Sequence, residues 1–222
     1  MTLETSKTLG GVGAILMLIG TLPILSTYSF GIITLIGLIL ILVALNGLGN
    51  IYKDRGIFNN SLYGLISGII GVVVAIVIVA VSVLTSLHNF LESIFPSWNG
   101  SWSSISSLSG MTPDTSNISM SSVWNFLAGL LVALAILWIF LIIWAFLARR
   151  SLGLLSTKSG VGMFSTAGTL LLIGAVLTII LIGFLLMWIA VLLLAIAFFR
   201  IKHQPEQPMP TTAYQQPPPA PM

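Results

Sequence analysis

The chain alternates long apolar segments with short polar connections. A helix needs about 20 apolar residues to cross ~30 Å of hydrocarbon, and each apolar segment approaches that length. Because lipid offers no partner to a free backbone N–H or C=O group, each segment is predicted to be an α-helix. The predicted segments are residues 9–25, 31–48, 62–85, 122–148, 163–180 and 183–199, which together form an integral all-α membrane bundle of six transmembrane helices within residues 1–202.

The last apolar run, Met163 to Phe199, fits either one helix or two. A single helix would be more than about 50 Å long, nearly twice the hydrocarbon thickness. Two helices that turn near Leu181 to Gly183 fit better, so we predict six crossings, with five as the alternative. The predicted turn is apolar, and its backbone carbonyls would therefore need partners close by.

The basic residues predict an orientation. All eight Lys and Arg residues fall in the N-terminal segment, in alternate connections and in the C-terminal tail. Basic residues near helix ends stay on the cytoplasmic side, so both termini are expected to be cytoplasmic and the outer loop 86–121 extracytoplasmic in a cell-membrane protein. Beside Lys7 and Lys158, the topology anchors are Lys53, Arg55, Arg149, Arg150, Arg200 and Lys202.

Composition narrows the class of partner. The chain is 57% hydrophobic and 6% charged, whereas about a quarter of the residues of a soluble domain are charged. The basic residues stand singly or in pairs at helix ends, so they predict contact with the lipid bilayer and no nucleic-acid partner. The chain has no cysteine, which excludes disulfides, thiol catalysis and the commonest zinc sites.

Small residues at four-residue spacing indicate helix-packing faces on the third and fourth segments. Such faces let two backbones approach closely, which is the main source of helix association in lipid. They could join helices within one chain, which we favour, or between chains in a homo-oligomer. The residues of these faces are Gly64, Ser67, Gly68, Gly71, Ala75, Gly129 and Ala133, with Asn125 beside the last two.

The outer loop and the tail carry the remaining signals. Apolar residues at helical spacing, from Leu91 to Trp98, predict a short amphipathic helix on the outer surface. Asn99 and Asn117 begin Asn-x-Ser sequons on the same side and are candidate glycosylation sites. Residues 203–222 are rich in Pro and Gln, which predicts a disordered cytoplasmic tail that could reach a cytoplasmic partner.

Little in the chain points to chemistry. None of the six predicted segments contains Asp, Glu, Lys, Arg or His, and intramembrane ionisable residues are the usual markers of proton and ion paths. His88, Asp114 and several serines share the outer loop, but such sets arise often in Ser-rich loops and no nucleophile elbow accompanies them. We therefore predict no catalytic, cofactor-binding or metal-binding residue, no cofactor, and no enzymatic activity.

The polar junctions between segments carry a resemblance. They are Glu4–Gly11 (ETSKTLGG), Tyr52–Phe58 (YKDRGIF), Gly160–Phe164 (GVGMF) and Ala195–Lys202 (AIAFFRIK). In this order they resemble the prokaryotic, mainly archaeal, multi-pass membrane proteins grouped as domain of unknown function 996. The resemblance covers residues 1–202 and implies a membrane location and a helical architecture. It implies no activity, substrate or catalytic residue.

Two functions remain as hypotheses. The first is a non-catalytic accessory or organising component of the membrane, acting with another membrane protein or as a homo-oligomer. The alternative is a transporter or pore for a small apolar or amphipathic solute or lipid. The alternative rests on Gly-rich helices and on a weak internal repeat, in which Leu16–Gly20 is similar to Leu170–Gly174.

Overall fold

A computed structural model describes residues 1–21, 30–114, 116 and 120–202 of the chain. These residues form α-helices and two short 3₁₀ helices, Trp102–Gly110 and Thr178–Ile180, without a strand. The Pro-rich tail and Asn117 lie outside the described residues. The prediction of an all-helical fold is confirmed. The α-helices are α1 (Leu3–Gly20), α2 (Phe30–Ile51), α3 (Gly56–Ile94), α4 (Ser121–Ser159), α5 (Met163–Leu177) and α6 (Ile182–Phe199).

Five candidate membrane spans occur in the described part of the chain, one in each helix from α2 to α6. Helix α1 is not among them; its 18 residues include Glu4 and Lys7. The protein is therefore a multi-pass, membrane-embedded helical bundle.

The helices form a closed ring. Each helix packs against its neighbours in the chain, and α1 also packs against α6. The Phe164 and Phe198 rings, 5.2 Å apart, join the start of α5 to the end of α6. A hydrogen bond of 2.8 Å from Ser61 to Ser151 joins the start of α3 to the end of α4. The cytoplasmic ends predicted from the basic residues therefore lie together at one end of the ring, which we call the inner end.

Helices α3 and α4 are longer than the predicted segments and form one long antiparallel hairpin. Helix α3 continues to Ile94, so the separate surface helix predicted from Leu91 to Trp98 is wrong. The apolar residues of that stretch extend the existing helix, whose backbone is already hydrogen-bonded, and no new helix has to be nucleated. The chain leaves α3 only after Ile94, where the N–H of Phe95 donates to the carbonyl of Leu91 at 2.8 Å.

Helix α4 also passes its predicted end at Ala148 and reaches Ser159. The added turns are amphipathic. Ser151, Leu152 and Leu155 are buried against the bundle, whereas Arg149 and Arg150 are exposed. Ser151 donates to the backbone carbonyl of Ile57, which satisfies its hydroxyl within the packed inner end. Burial of one face thus keeps the segment helical beyond the two arginines.

The turn between α5 and α6 lies where the sequence predicts it. Leu181 adopts a left-handed conformation with φ 63° and separates the two helices. Local hydrogen bonds satisfy the backbone: the N–H of Leu181 donates to the carbonyl of Thr178 at 3.0 Å, and the Thr178 hydroxyl donates to the carbonyl of Gly174 at 2.8 Å. The apolar turn therefore needs no polar side chain from another helix for these groups.

The helical hairpins differ in length. Trp138 Nε1 donates to the carbonyl of Ala175 at 3.1 Å, so the outer end of α5 lies beside the middle of α4. From Trp138 to Ser121, α4 continues for about 25 Å by the α-helical rise. The α3–α4 hairpin consequently extends well past the α5–α6 turn.

Candidate functional site

The central feature of the inner half is an apolar cleft that residues from all six helices line. Its α2 wall consists of Leu38, Ile41, Leu42 and Leu45, and Ser61 and Leu65 of α3 face this wall. The remaining lining residues are Met17, Trp144, Ala148, Leu152, Leu171, Val191 and Leu194.

The cleft offers almost no polar group. Ser61 contributes the only hydroxyl among its lining residues, and that hydroxyl donates to Ser151. Because the cleft volume is about 60 Å³, it has room for a few methylene groups, whereas pockets for drug-sized ligands measure roughly 300–1,000 Å³. A short apolar group is therefore the kind of ligand that this space suits.

The predicted packing faces of α3 and α4 each lie against the other helix of this hairpin within one chain, although at different levels and not against each other. A methyl group at Gly64 would lie 3.3 Å from Leu147 Cβ, and one at Gly71 would lie 2.7 Å from Phe140 Cγ. A methyl group at Gly129 would lie 2.6 Å from Ser82 Cβ, and Ala133 is buried. Gly68 is less crowded, with Trp144 Cδ1 at 3.8 Å, and Ser67 and Ala75 are half-buried.

A close helix contact that the residue spacing did not predict lies between α1 and α2. A methyl group at Gly13 would lie 2.7 Å from the carbonyl oxygen of Gly37, and one at Gly37 would lie 2.6 Å from that of Gly13. Both helices are rich in glycine, but four-residue spacing within one helix, the pattern that predicts the packing faces, does not identify a pair of glycines on two helices. This contact pairs glycines from two helices.

The topology anchors occupy the inner end of the bundle. Lys53 and Arg55 lie in the short connection between α2 and α3, and Arg200 and Lys202 follow α6. Arg149 and Arg150 lie inside α4, before its end at Ser159, rather than in a loop. Both side chains are exposed.

His88 and Asp114, two polar residues of the outer side, interact with different partners. His88 Nε2 lies 2.8 Å from the carbonyl oxygen of Gly100, and His88 Nδ1 lies 3.7 Å from the Glu92 carboxylate. Asp114 accepts hydrogen bonds from the Ser116 hydroxyl and N–H, which lower the pKa of its carboxyl. No hydrogen bond joins His88 to Asp114, both of which are described, so the structure does not assemble them into a catalytic set.

The candidate glycosylation site at Asn99 is exposed. Its side-chain oxygen accepts hydrogen bonds from the Ser101 N–H at 3.0 Å and from the Ser104 hydroxyl at 2.5 Å.

Among the residues that the structure describes, no group of three or more His, Asp or Glu side chains could hold a metal ion.

Comparison with known proteins agrees with the family resemblance of the polar junctions. A family model described as "Protein of unknown function (DUF996)" matches residues 33–192. The chain belongs to this family. The resemblance inferred from the junction motifs is thereby confirmed.

One relative is similar to part of the chain. An uncharacterized protein of the archaeon Methanocaldococcus jannaschii is 39% identical over 67 residues, which are 30% of this chain and 34% of the relative. The aligned part thus spans about a third of that relative. No solved structure matches the chain.

Proposed function

We propose that this protein is a non-catalytic, six-pass component of the cell membrane that holds a lipid chain in its central cleft and serves as an accessory or organising subunit. The observation that carries the proposal is the cleft itself, since all six helices line it and its walls are apolar. A polar solute would lose its hydration there without gaining hydrogen bonds, whereas a lipid chain has no hydration of this kind to lose. Lipid bound at the junction of all six helices would stabilise their arrangement by mass action.

The proposed topology has six crossings, with both termini and the basic residues in the cytoplasm. The support for α1 as a crossing helix is its close packing along α2, from Gly47 near Ser6 to Gly20 near Thr34. An antiparallel partner of this kind covers one face of α1, and the remaining face carries exposed Val12, Ile15 and Ile19. These residues suit contact with lipid.

Cysteine labelling tests the orientation of α4 in this topology, because the chain has no cysteine. In sealed, oriented vesicles we expect a membrane-impermeant maleimide to label Ser107→Cys from the extracytoplasmic side only. We expect Thr157→Cys, which is exposed near the inner end, to react only after the vesicles are opened. Labelling of both positions from one side would contradict the proposed arrangement.

Native mass spectrometry of the purified full chain with added phospholipid tests the lipid site. We expect the wild type to retain one lipid at collision energies that strip the surface lipids. Leu42→Trp, which fills the cleft, should lose the retained lipid. Leu35→Trp is the matched control, because Leu35 lies on the same helix and is 56% exposed.

A second cleft variant, Leu65→Phe, separates cleft filling from misfolding, since Leu65 lines the opposite wall. Each variant is compared by helicity and by monodisperse elution before the lipid measurement. A wild type that retains no lipid, or folded cleft variants that retain as much as the control, would overturn the proposed lipid site.

Transport of a small apolar solute or lipid is the second candidate function. The same cleft favours it, because a cleft lined by every helix would open and close as the helices move against each other. Solute-dependent flux in proteoliposomes that Leu42→Trp abolishes would favour transport over a subunit role. A stable complex with a different protein, extracted from the host membrane, would favour the subunit role.

A further inference from the structure

A polar pocket lies on the same side of the bundle as the apolar cleft, at the inner ends of α2 and α3. Three amide side chains, those of Asn46, Asn50 and Asn59, line it together with Arg55. The pocket has a volume of about 250 Å³, and Gly49 and Phe58 complete its lining. Such a group of amide and guanidinium donors suits an anionic ligand with several oxygen atoms.

The donors of this pocket are available to a ligand. Within the described part of the chain, the side chains of the three asparagines and Arg55 form no hydrogen bond with other residues, and Arg55 forms no ion pair. All four residues are exposed. The neighbouring carboxylate of Asp54 does not line the pocket, and its Oδ1 accepts the N–H of Gly56 at 2.9 Å.

The polar pocket and the apolar cleft lie one after the other along the contact between α2 and α3, which we call the α2–α3 seam. On α2, Leu38, Leu42 and Leu45 line the cleft, and Asn46, Gly49 and Asn50 continue toward the inner end as the pocket wall. On α3, Leu65 and Ser61 line the cleft, whereas Phe58 and Asn59 line the pocket. One amphiphile with its headgroup toward the cytoplasm would place that headgroup in the polar pocket and an apolar chain in the cleft.

The other basic pocket of the inner end lacks this continuity. Lys7, Arg200 and Lys202 line it together with Glu4, and none of its lining residues lines the cleft. Lys7 Nζ also lies 3.7 Å from a carboxylate oxygen of Glu4, which reduces the net positive charge that the pocket presents. That pocket still has more cationic side chains than the pocket on the α2–α3 seam, but only the pocket on the seam adjoins the cleft, which makes it the better match to a lipid with a chain in the cleft.

We propose that the seam between α2 and α3 binds one anionic phospholipid of the cytoplasmic leaflet. Arg55 binds the phosphate, the three asparagine amides donate to the remaining headgroup oxygens, and one chain enters the cleft beside Leu42 and Leu65. A guanidinium can donate two parallel hydrogen bonds to a phosphate, which adds specificity to the charge attraction. This inference rests on the proposed lipid-holding function and adds the headgroup class and its binding residues.

Competition between two lipids with identical chains tests the inference. The folded full-length protein in neutral detergent is titrated with phosphatidylglycerol or phosphatidylcholine, and bound lipid is counted by native mass spectrometry. We expect the wild type to prefer phosphatidylglycerol by about fivefold, which corresponds to ~1 kcal/mol per cationic side chain. Arg55→Gln should remove this preference while one lipid is still retained.

Two charge-matched variants serve as controls. Arg150→Gln removes an exposed arginine of α4 that lines neither pocket, and Lys202→Gln removes a cation of the other basic pocket. Both should keep the wild-type preference. A preference that Lys202→Gln abolishes and Arg55→Gln leaves unchanged would overturn the assignment to this seam.

Three further outcomes would also count against the inference. Equal retention of the two lipids by the wild type would show that the protein has no headgroup preference, and it would leave the proposed lipid-holding function intact. Loss of both lipids from the wild type would instead overturn the proposed function itself. Displacement of phosphatidylglycerol by inorganic phosphate at equal concentration would show that the pocket binds free phosphate rather than a lipid headgroup.

Discussion

Replacing Gly37 by leucine is expected to lower the Tm of the purified protein by about 10 °C. A Cβ atom at this position would lie 2.6 Å from the carbonyl oxygen of Gly13 and 2.8 Å from the backbone nitrogen of Met17. Both neighbours are backbone atoms, so α1 must move as a whole to make room. Overpacking lowers the free energy of unfolding by roughly 1–3 kcal/mol, and we expect the upper end, ~3 kcal/mol, here. In a protein of this size each kcal/mol lowers the Tm by about 2–4 °C.

Gly31→Leu provides the matched control, because it makes the same change on the same helix. A Cβ atom at Gly31 would meet no atom of the described residues within 4 Å. The Tm values of the two variants and the wild type can be compared by intrinsic fluorescence in one detergent. Equal Tm values for Gly37→Leu and Gly31→Leu would show that α1 and α2 do not pack closely through their glycines.

Replacing Phe198 by alanine is expected to cause the second large loss of stability. The Phe198 side chain is fully buried, packs edge to face on Phe164 and covers Gly10 of α1. In a soluble core this change costs about 3–5 kcal/mol. In lipid the separated helix still holds the ring in an apolar medium, so we expect only the lost packing, about 1–3 kcal/mol.

A double-mutant cycle distinguishes a specific ring contact from general burial. Since Phe164 and Phe198 share one contact, Phe164→Ala combined with Phe198→Ala should cost less than the sum of the single changes, by about 0.5–1.5 kcal/mol. Phe184→Ala is the control on the same helix, because Phe184 is 57% exposed. A control variant as unstable as Phe198→Ala would contradict the assignment of the core to this end of the bundle.

The helix ends show where reasoning from the sequence succeeds and where it does not. The turn near Leu181 was predictable, because one helix from Met163 to Phe199 would greatly exceed the hydrocarbon thickness. The end of α4 was not, since Arg149 and Arg150 have the pattern of a membrane boundary. Helix α4 continues to Ser159 because the inner end of the bundle buries Ser151 and Leu155, and that burial depends on residues distant in the chain.

The candidate site shows the same division. Arg55 was recognisable as a basic residue beside a helix end, and its position suffices to explain a role as a topology anchor. Its grouping with Asn46 and Asn59 was not recognisable, because these residues come from two helices whose relative rotation is set by packing. The apolar cleft was hidden for a similar reason, since each of its leucines resembles any other membrane-facing leucine.

By itself, the sequence determined the membrane class, the helical architecture and the family. These follow from length, hydropathy and short junction motifs, and lipid leaves the backbone few alternatives to a helix. Only the tertiary structure decided which helices are neighbours, how far α3 and α4 extend, and where an apolar cleft meets a polar pocket. Such features depend on contacts between side chains far apart in the chain, and hydropathy is nearly the same on every face of these helices.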